Sequence, residues 1–310
     1  MKALALIVVL LLVGVQEFTT PRVNVVYTGR EARLARSLAV KAGEALLRLE
    51  GEFGLPPKGQ ISIILASSPE DFFQAQPGGV RVPVWAAGVA YPNLNLIVLK
   101  SGKAAKGTGL DKTLVHELAH VVLGRIFGRR PVPTWLNEGL TMHLADDWGV
   151  SRQVAMARAV SSGRLIPLRR LVGRFPEDRL SAETAYAQSY YFISFLRDRY
   201  GPQVMGRLVR NLGLGVSADN ALLQASGLRR GDLEEEFYRW LSGRFSLFWI
   251  LTGPGVVWFL AAALIVVAWA VQRRAAARKI AKWEAEADGP EADSVRAGGP
   301  GRENGTKSPL

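Results

Sequence analysis

Three histidines occur in 310 residues, and two of them stand in Thr113-Leu-Val-His-Glu-Leu-Ala-His120. Four residues on an α-helix is slightly more than one turn. His116 and His120 therefore project from one face with their imidazoles converging, as two nitrogen ligands of one zinc ion must. Glu117 flanks that face, where a carboxylate can hydrogen-bond a zinc-activated water and take its proton as the water attacks a carbonyl. A surface helix can carry this spelling by chance, but the scarcity of histidine here weighs against that. Zinc needs a third protein ligand, and Pro133-Thr-Trp-Leu-Asn-Glu-Gly-Leu140 supplies Glu138, eighteen residues after His120. That offset leaves room for the first helix, N-capped by Asp111, to finish near Gly128. A turn at Pro131 and Pro133 and a return helix capped by Thr134 then follow.

The pairing of HELAH with WLNEGL resembles the gluzincin metallopeptidases, the clan of thermolysin and the zinc aminopeptidases, and most closely the bacterial peptidase MA-like domains. The metzincin pattern is not met, because Leu123 and Ile126 stand where it requires Gly and His. The resemblance runs from about Val23 to Phe245 and includes the later phrases AYAQSYYFISFLRDRYG and SGLRRGDLEEEFYRWL. It implies that His116, His120 and Glu138 hold Zn2+ and that Glu117 is the general base. It implies an α+β, thermolysin-like zincin fold, with a small N-terminal sheet lobe and a helical C-terminal lobe. It also implies a Tyr or His across the metal that donates to the developing oxyanion. Tyr186 is the first choice, with Tyr190 one turn on; the competing reading makes both tyrosines core residues with satisfied hydroxyls.

Two departures narrow what the resemblance carries. Zinc aminopeptidases have an upstream G-x-M-E-N segment whose Glu holds the substrate amine, and Gly88-Val-Ala-Tyr-Pro92 contains no acid. Endopeptidase action is the expectation. Thermolysin places an Asp four residues after its ligand Glu to orient a histidine, and Met142 stands there, so Asp146 is the expected substitute. His143, five residues past Glu138, reads as a surface or supporting residue. The strand Asn93–Lys100 before the zinc helix is expected, by the same resemblance, to be a sheet edge beside the cleft. It would pair with an extended peptide, its Leu94, Leu96 and Val98 on one face and Asn95, Ile97 and Leu99 on the other.

The rest of the chain must position these groups. Val23–Val26 and Ile61–Ala66 read as strands, Glu31 to Phe53 as an amphipathic helix with Leu34, Leu38, Ala42 and Leu46 on one face, and Pro69–Gln74 as a short helix. Lys100, Lys103 and Lys106 read as a solvated linker. After Asp147 the pattern is helical, near Arg152–Ser162, Ala182–Arg199, Gln203–Leu212, Ala218–Ala225 and Asp232–Leu241, punctuated by Gly201, Gly213, Gly215 and Gly227.

Composition bounds the remainder. A chain with 48% hydrophobic residues and a polar tail has room for one sizeable domain, residues 22–245, besides its apolar segments. It has no cysteine, which excludes thiolate ligands, disulfides and a Cys nucleophile. Residues 1–20 read as a Sec-type signal peptide or an N-terminal hydrophobic anchor, with Lys2 before the apolar run Ala3–Val15 and a cut near Val15 or Thr20. Residues 247–271 read as a transmembrane helix between Trp249 and Trp269. Arg273, Arg274, Arg278 and Lys279 follow, so the positive-inside rule puts the C-terminus in the cytoplasm and the zinc domain outside. Residues 272–310 are expected to be a cytoplasmic tail, disordered from Glu284. The net charge of +12 lacks a Lys/Arg block, so it suits anionic lipid or wall polymer and not nucleic acid.

The expected function is a membrane-tethered, outward-facing zinc metallopeptidase acting on peptide or protein substrates, especially extended segments near the membrane, and held to lipid by its C-terminal anchor. The alternative is a catalytically inactive peptidase-fold protein that binds partners at the cell surface. The presence of all four zinc-site residues favours the enzyme.

Overall fold

The computed structural model describes residues 14–102, 109–176, 178–252 and 254–287. The expectations for residues 1–13, for Lys103 and Lys106, and for the tail beyond Ala287 lie outside these residues. The chain divides into two compact units, Met1–Ser246 and Leu247–Leu310.

The first unit opens with a five-stranded sheet. Its strands are β1 (Val15–Thr19), β2 (Val23–Thr28), β3 (Ile61–Ala66), β4 (Gly88–Tyr91) and β5 (Leu96–Lys100), in the spatial order β1-β2-β3-β5-β4. The three inner strands are parallel, with Val25 opposite Ile63 and Ile63 opposite Ile97, and both edge strands run antiparallel. Inner strands buried on two faces should read as unbroken apolar runs, and Ile63–Ala66 and Leu96–Leu99 do. Helix α1 (Ala32–Glu52) buries Ala35, Leu38, Ala42, Leu46 and Leu49, a stripe at spacings of three and four. On the opposite face α2 (Pro69–Gln74), started by a Ser68–Asp71 capping box, packs Phe72 against Leu96, Val98 and Ile64. The predicted alternation of β5 therefore holds from Leu96 to Leu99, but its predicted place does not. β5 lies inside the sheet, between β3 and β4, and the edge is β4. The strand also starts later than the sequence suggested, because Asn95 takes a left-handed φ of 47° after a turn at Pro92–Leu94. Residues 15–19, counted with the hydrophobic leader in the sequence reading, form the opposite edge.

The helical remainder follows as α3 (Leu110–Phe127), α4 (Thr134–Leu144), α5 (Val150–Ser161), α6 (Arg179–Tyr200), α7 (Gln203–Gly213), α8 (Ala218–Ser226) and α9 (Arg230–Thr252). Neither predicted cap of the zinc hairpin caps. Gly109 precedes α3, and Asp111 sits in its first turn, paired with Lys41. Pro133 precedes α4, and Thr134 donates its hydroxyl to the Val172 carbonyl. The core of this part is aromatic, with Trp135, Phe192, Phe195 and Phe237 almost wholly buried, Phe192 meeting Trp135 and Phe237 edge to face.

In the second unit α10 (Pro254–Ala287) covers most of the predicted span 247–271, and α9 runs to Thr252 before it, with residue 253 between them outside the described residues. Within α10, Trp258–Glu284 is 27 residues long with mean hydropathy 1.5, enough by length and composition to cross a membrane. The helix continues through residues 272–287, which the sequence reading assigned to the tail.

One close approach holds the metal hairpin to the body. A β-carbon on Gly139 of α4 would lie 2.5 Å from the Ser189 carbonyl oxygen of α6. That oxygen is backbone and cannot swing away. Gly139→Ala should therefore destabilise the fold by ~2 kcal/mol, read as a lower thermal midpoint of the purified chain, whereas Gly43→Ala on the open face of α1 should not.

Candidate metal centre

α3 and α4 bring the three predicted ligands together. Nε2 of His116 lies 3.7 Å and Nε2 of His120 3.6 Å from Oε2 of Glu138. Ligand atoms of the three residues all lie within 4.8 Å of one another. Ligands at about 2.1 Å around a tetrahedral zinc stand about 3.4 Å apart, so this donor set fits Zn2+ with little movement. The two imidazoles meet edge to face, 4.9 Å between centroids.

Each histidine presents Nε2 to the centre because Nδ1 faces something else. Nδ1 of His120 lies 3.2 Å from Thr141 Oγ1 and 3.3 Å from Asn137 Nδ2. Nδ1 of His116 lies 3.5 Å from Asp147 Oδ2. Asp147 is itself gripped by Arg152, whose guanidinium donates to Oδ1 at 2.8 Å and to Oδ2 at 3.0 Å. The orienting acid is thus Asp147, not the expected Asp146. Asp146 takes a left-handed φ of 49°, and the Asp147 N–H bonds back to the Met142 carbonyl. That reversal at the end of α4 turns the next side chain, not this one, towards His116. Thr141 was within reach of sequence reasoning, one turn past Glu138; Asp147 was not, since helical phase points elsewhere.

Charge is concentrated here. Burial alone would discharge His116, but hydrogen bonds to Asp147 and Glu138 raise its pKa to about 10. Burial likewise works against ionising Glu138 and Asp147, and the histidines, with Arg152 for Asp147, hold both carboxyls below their ordinary range. A dication shared by the two Nε2 atoms and the Glu138 carboxylate would take the place of those protons. Glu117 behaves differently. Burial pushes its carboxyl upward more strongly than His116 and His120 pull it down.

Glu117 is held against the sheet edge, where the Ala90 backbone favours its ionised form without offsetting burial. A β-carbon on Gly88 would come within 2.9 Å of its Cγ and 3.0 Å of its Oε1, so only glycine at the start of β4 leaves it this place. A cleft of about 900 Å3 opens over these groups, lined by β4, by the face of α3 from Gly109 to Gly128, and by Glu138, Asp147 and Arg152. Tyr186 of α6 lines it too. Its ring rests against Phe175 at 4.9 Å, and its hydroxyl takes no hydrogen bond from the described residues. Burial and then the Glu138 and Glu117 charges raise its pKa. Tyr190 does not line the cleft; it stacks on Trp148 at 4.5 Å. His143 sits beside Tyr190 and Arg197, away from the metal group, with its pKa lowered to about 4 by burial and by Arg197.

A family description of the peptidase MA superfamily matches residues 41–243. The chain belongs to that superfamily. Among solved structures it is similar to a variant of a two-domain M1 zinc metallopeptidase bound to L-arginine, with 19% identity, a TM-score of 0.43, and coverage of 73% of this chain and 51% of that one. It is also similar to an M1 zinc metallopeptidase from Deinococcus radiodurans, with 20% identity, a TM-score of 0.41, and coverage of 73% and 51%. The chain spans about half the length of these structures. A comparison with curated proteins finds no match.

The orienting role of Asp147 has a direct readout. Asp147→Ala should weaken zinc about 10- to 100-fold in competition with a chelator, while Asp146→Ala leaves the affinity unchanged.

Proposed function

We propose that this superfamily member is a membrane-tethered, outward-facing zinc metallopeptidase that cleaves within peptide chains. The observation that carries it is the convergence of His116, His120 and Glu138 on one point of a long cleft, with Glu117 and Tyr186 beside it. Bound at that point, zinc would polarise a substrate carbonyl and acidify a water. Glu117 takes the proton from the attacking water. Its raised pKa suits a base that must later give that proton to the leaving amine. Tyr186, with a hydroxyl that burial keeps protonated, donates to the carbonyl oxygen as charge develops on it.

The cleft favours a chain interior over a chain end. The cleft-lining face of α3 runs from Gly109 to Gly128, well beyond His116 and His120 in both directions. Gly88–Tyr91, the strand beside the metal group, carries no acid to hold a free amine. Among the described residues β4 pairs with no strand but β5, so its outer edge, lined at Gly88 by Glu117, can take an extended segment into the cleft. The expected pairing thus passes from β5 to β4. The apolar stretch Trp258–Glu284 supports tethering, and Arg273, Arg274 and Arg278 at its C-terminal side favour an outward-facing domain. Partners are then peptide or protein segments close to the bilayer, and lipid around the anchor.

Glu117→Gln should retain stoichiometric zinc and lose peptide hydrolysis by orders of magnitude, whereas His116→Ala, His120→Ala and Glu138→Ala should lose the metal. Stoichiometric zinc in Glu138→Ala would remove that residue from the ligand set. Tyr186→Phe should lower kcat roughly tenfold or more with zinc content unchanged, and Tyr190→Phe should not. Topology is tested separately: protease added to intact spheroplasts should digest residues 14–246 and leave an anchor fragment, and a protected domain would overturn the outward orientation.

A further inference from the structure

The segment leading into β4 combines a rigid base with an exposed apolar tip. Pro83–Ala86 is a turn closed by the Ala86 N–H on the Pro83 carbonyl at 3.0 Å. Its base is fixed by Lys100, expected in a solvated linker but in fact only 8% exposed at the end of β5. Lys100 Nζ donates to the Val84 carbonyl at 2.6 Å and lies 4.7 Å from the centre of the Phe72 ring, and its backbone N–H bonds the Ala87 carbonyl at 2.9 Å. Val82 and Ala86 pack on the cluster around Phe72, and Tyr91 ties the far end of β4 to Gln76. A buried ammonium is costly to desolvate, so it is an expensive way to hold a loop that has no task. The tip, by contrast, turns its apolar surface outward. Trp85 is 60% and Val84 75% exposed.

Trp85, Val82, Pro83 and Ala86 line the same cleft as His116, Glu117 and Glu138. Indoles are favoured where a binding site must offer apolar area at little entropic cost, and this one is already presented on a fixed turn. The register follows from Glu117. A β-carbon on Gly88 would stand 2.9 Å from its Cγ and 3.0 Å from its Oε1, so the reacting bond of a peptide lying along β4 is opposite Gly88. Strands advance about 3.3 Å per residue. Trp85 precedes Gly88 by three residues with part of a turn between them, and so meets a side chain two or three positions from that bond.

We propose that the Pro83–Ala86 turn is a specificity wall, and that Trp85 receives a bulky apolar side chain of the extended substrate two or three residues from the bond cleaved. This rests on the peptidase reading above, and it adds a substrate class, namely extended segments with a large apolar residue at that distance. The exposed position of Trp85 also means that replacing it disturbs no core packing.

The test uses the full chain in detergent micelles and a set of extended peptides with Phe, Leu or Ala scanned through three positions on either side of the cleaved bond. Binding is measured calorimetrically on Glu117→Gln, and cleavage on the wild type. The expected result is a preference of roughly tenfold for Phe over Ala at one position two or three residues from the bond. It should collapse to within about twofold in Trp85→Ala and be largely kept in Trp85→Phe, with thermal unfolding unchanged. A preference that survives in Trp85→Ala, or a loss spread evenly over all peptides, would overturn the proposal. So would unchanged preference accompanied by loss of quenching by brominated phosphatidylglycerol in vesicles, which would assign the tip to lipid. If the wild type cleaves nothing while the binding preference appears and depends on Trp85, the peptidase reading fails and the binding wall stands.

Discussion

The antiparallel return of α4 against α3 is the constraint on which the rest of the structure depends. It sets the Glu138 carboxylate 3.6 to 3.7 Å from both imidazoles. Two histidines a turn apart converge on one helix by themselves; the third donor must be delivered from another element to within a few tenths of an ångström. The glycine-permitted contact of α4 with the Ser189 carbonyl fixes that delivery from behind, and the aromatic packing of Trp135 on Phe192 fixes the roll of α4. The hairpin is thus positioned by the helical body, while Glu117 on α3 is positioned by the sheet.

Electrostatics divides the buried carboxyls by role. Glu138 and Asp147 are held ionised by the groups they face, as a metal ligand and an orienting acceptor require. Glu117, one residue from a ligand, is pushed the other way because burial outweighs its cationic neighbours. The same two histidines thus serve carboxyls with opposite shifts, and the difference lies in contact. Glu138 faces both rings directly, 3.6 to 3.7 Å from their Nε2 atoms, whereas Glu117 lies against the start of β4.

The sheet contributes an edge as well as support. β4 is short, has an antiparallel neighbour on one side only, and carries at its start the glycine that admits the Glu117 side chain. Because the backbone edge, the glycine that admits Glu117 and the turn bearing Trp85 belong to one continuous segment, Val82–Tyr91, a shift of that segment would move Glu117 and the edge together. Lys100, reaching out from the inner strand β5, ties the segment to the most buried part of the sheet.

The sequence alone determined the metal chemistry, the peptidase resemblance, most helices, and the faces of β5. These follow from local periodicity and from spacing along single helices, where 3.6 residues per turn converts sequence into geometry. Tertiary structure decided the matters that depend on which element lies beside which. β5 proved an inner strand because β4, only four residues long and without strong periodicity, pairs outside it. Asp147 displaced Asp146 because a left-handed residue after α4 breaks the helical phase that the prediction extrapolated. Tyr186 and Tyr190 share a helical repeat, and only the packing of α6, with Phe175 on one side and Trp148 on the other, separates the residue in the cleft from the residue outside it. Lys100 read as solvated because lysine usually is; it is buried because the loop folded over it supplies a carbonyl and an aromatic face, partners 16 and 28 residues away in the chain that no local pattern reveals.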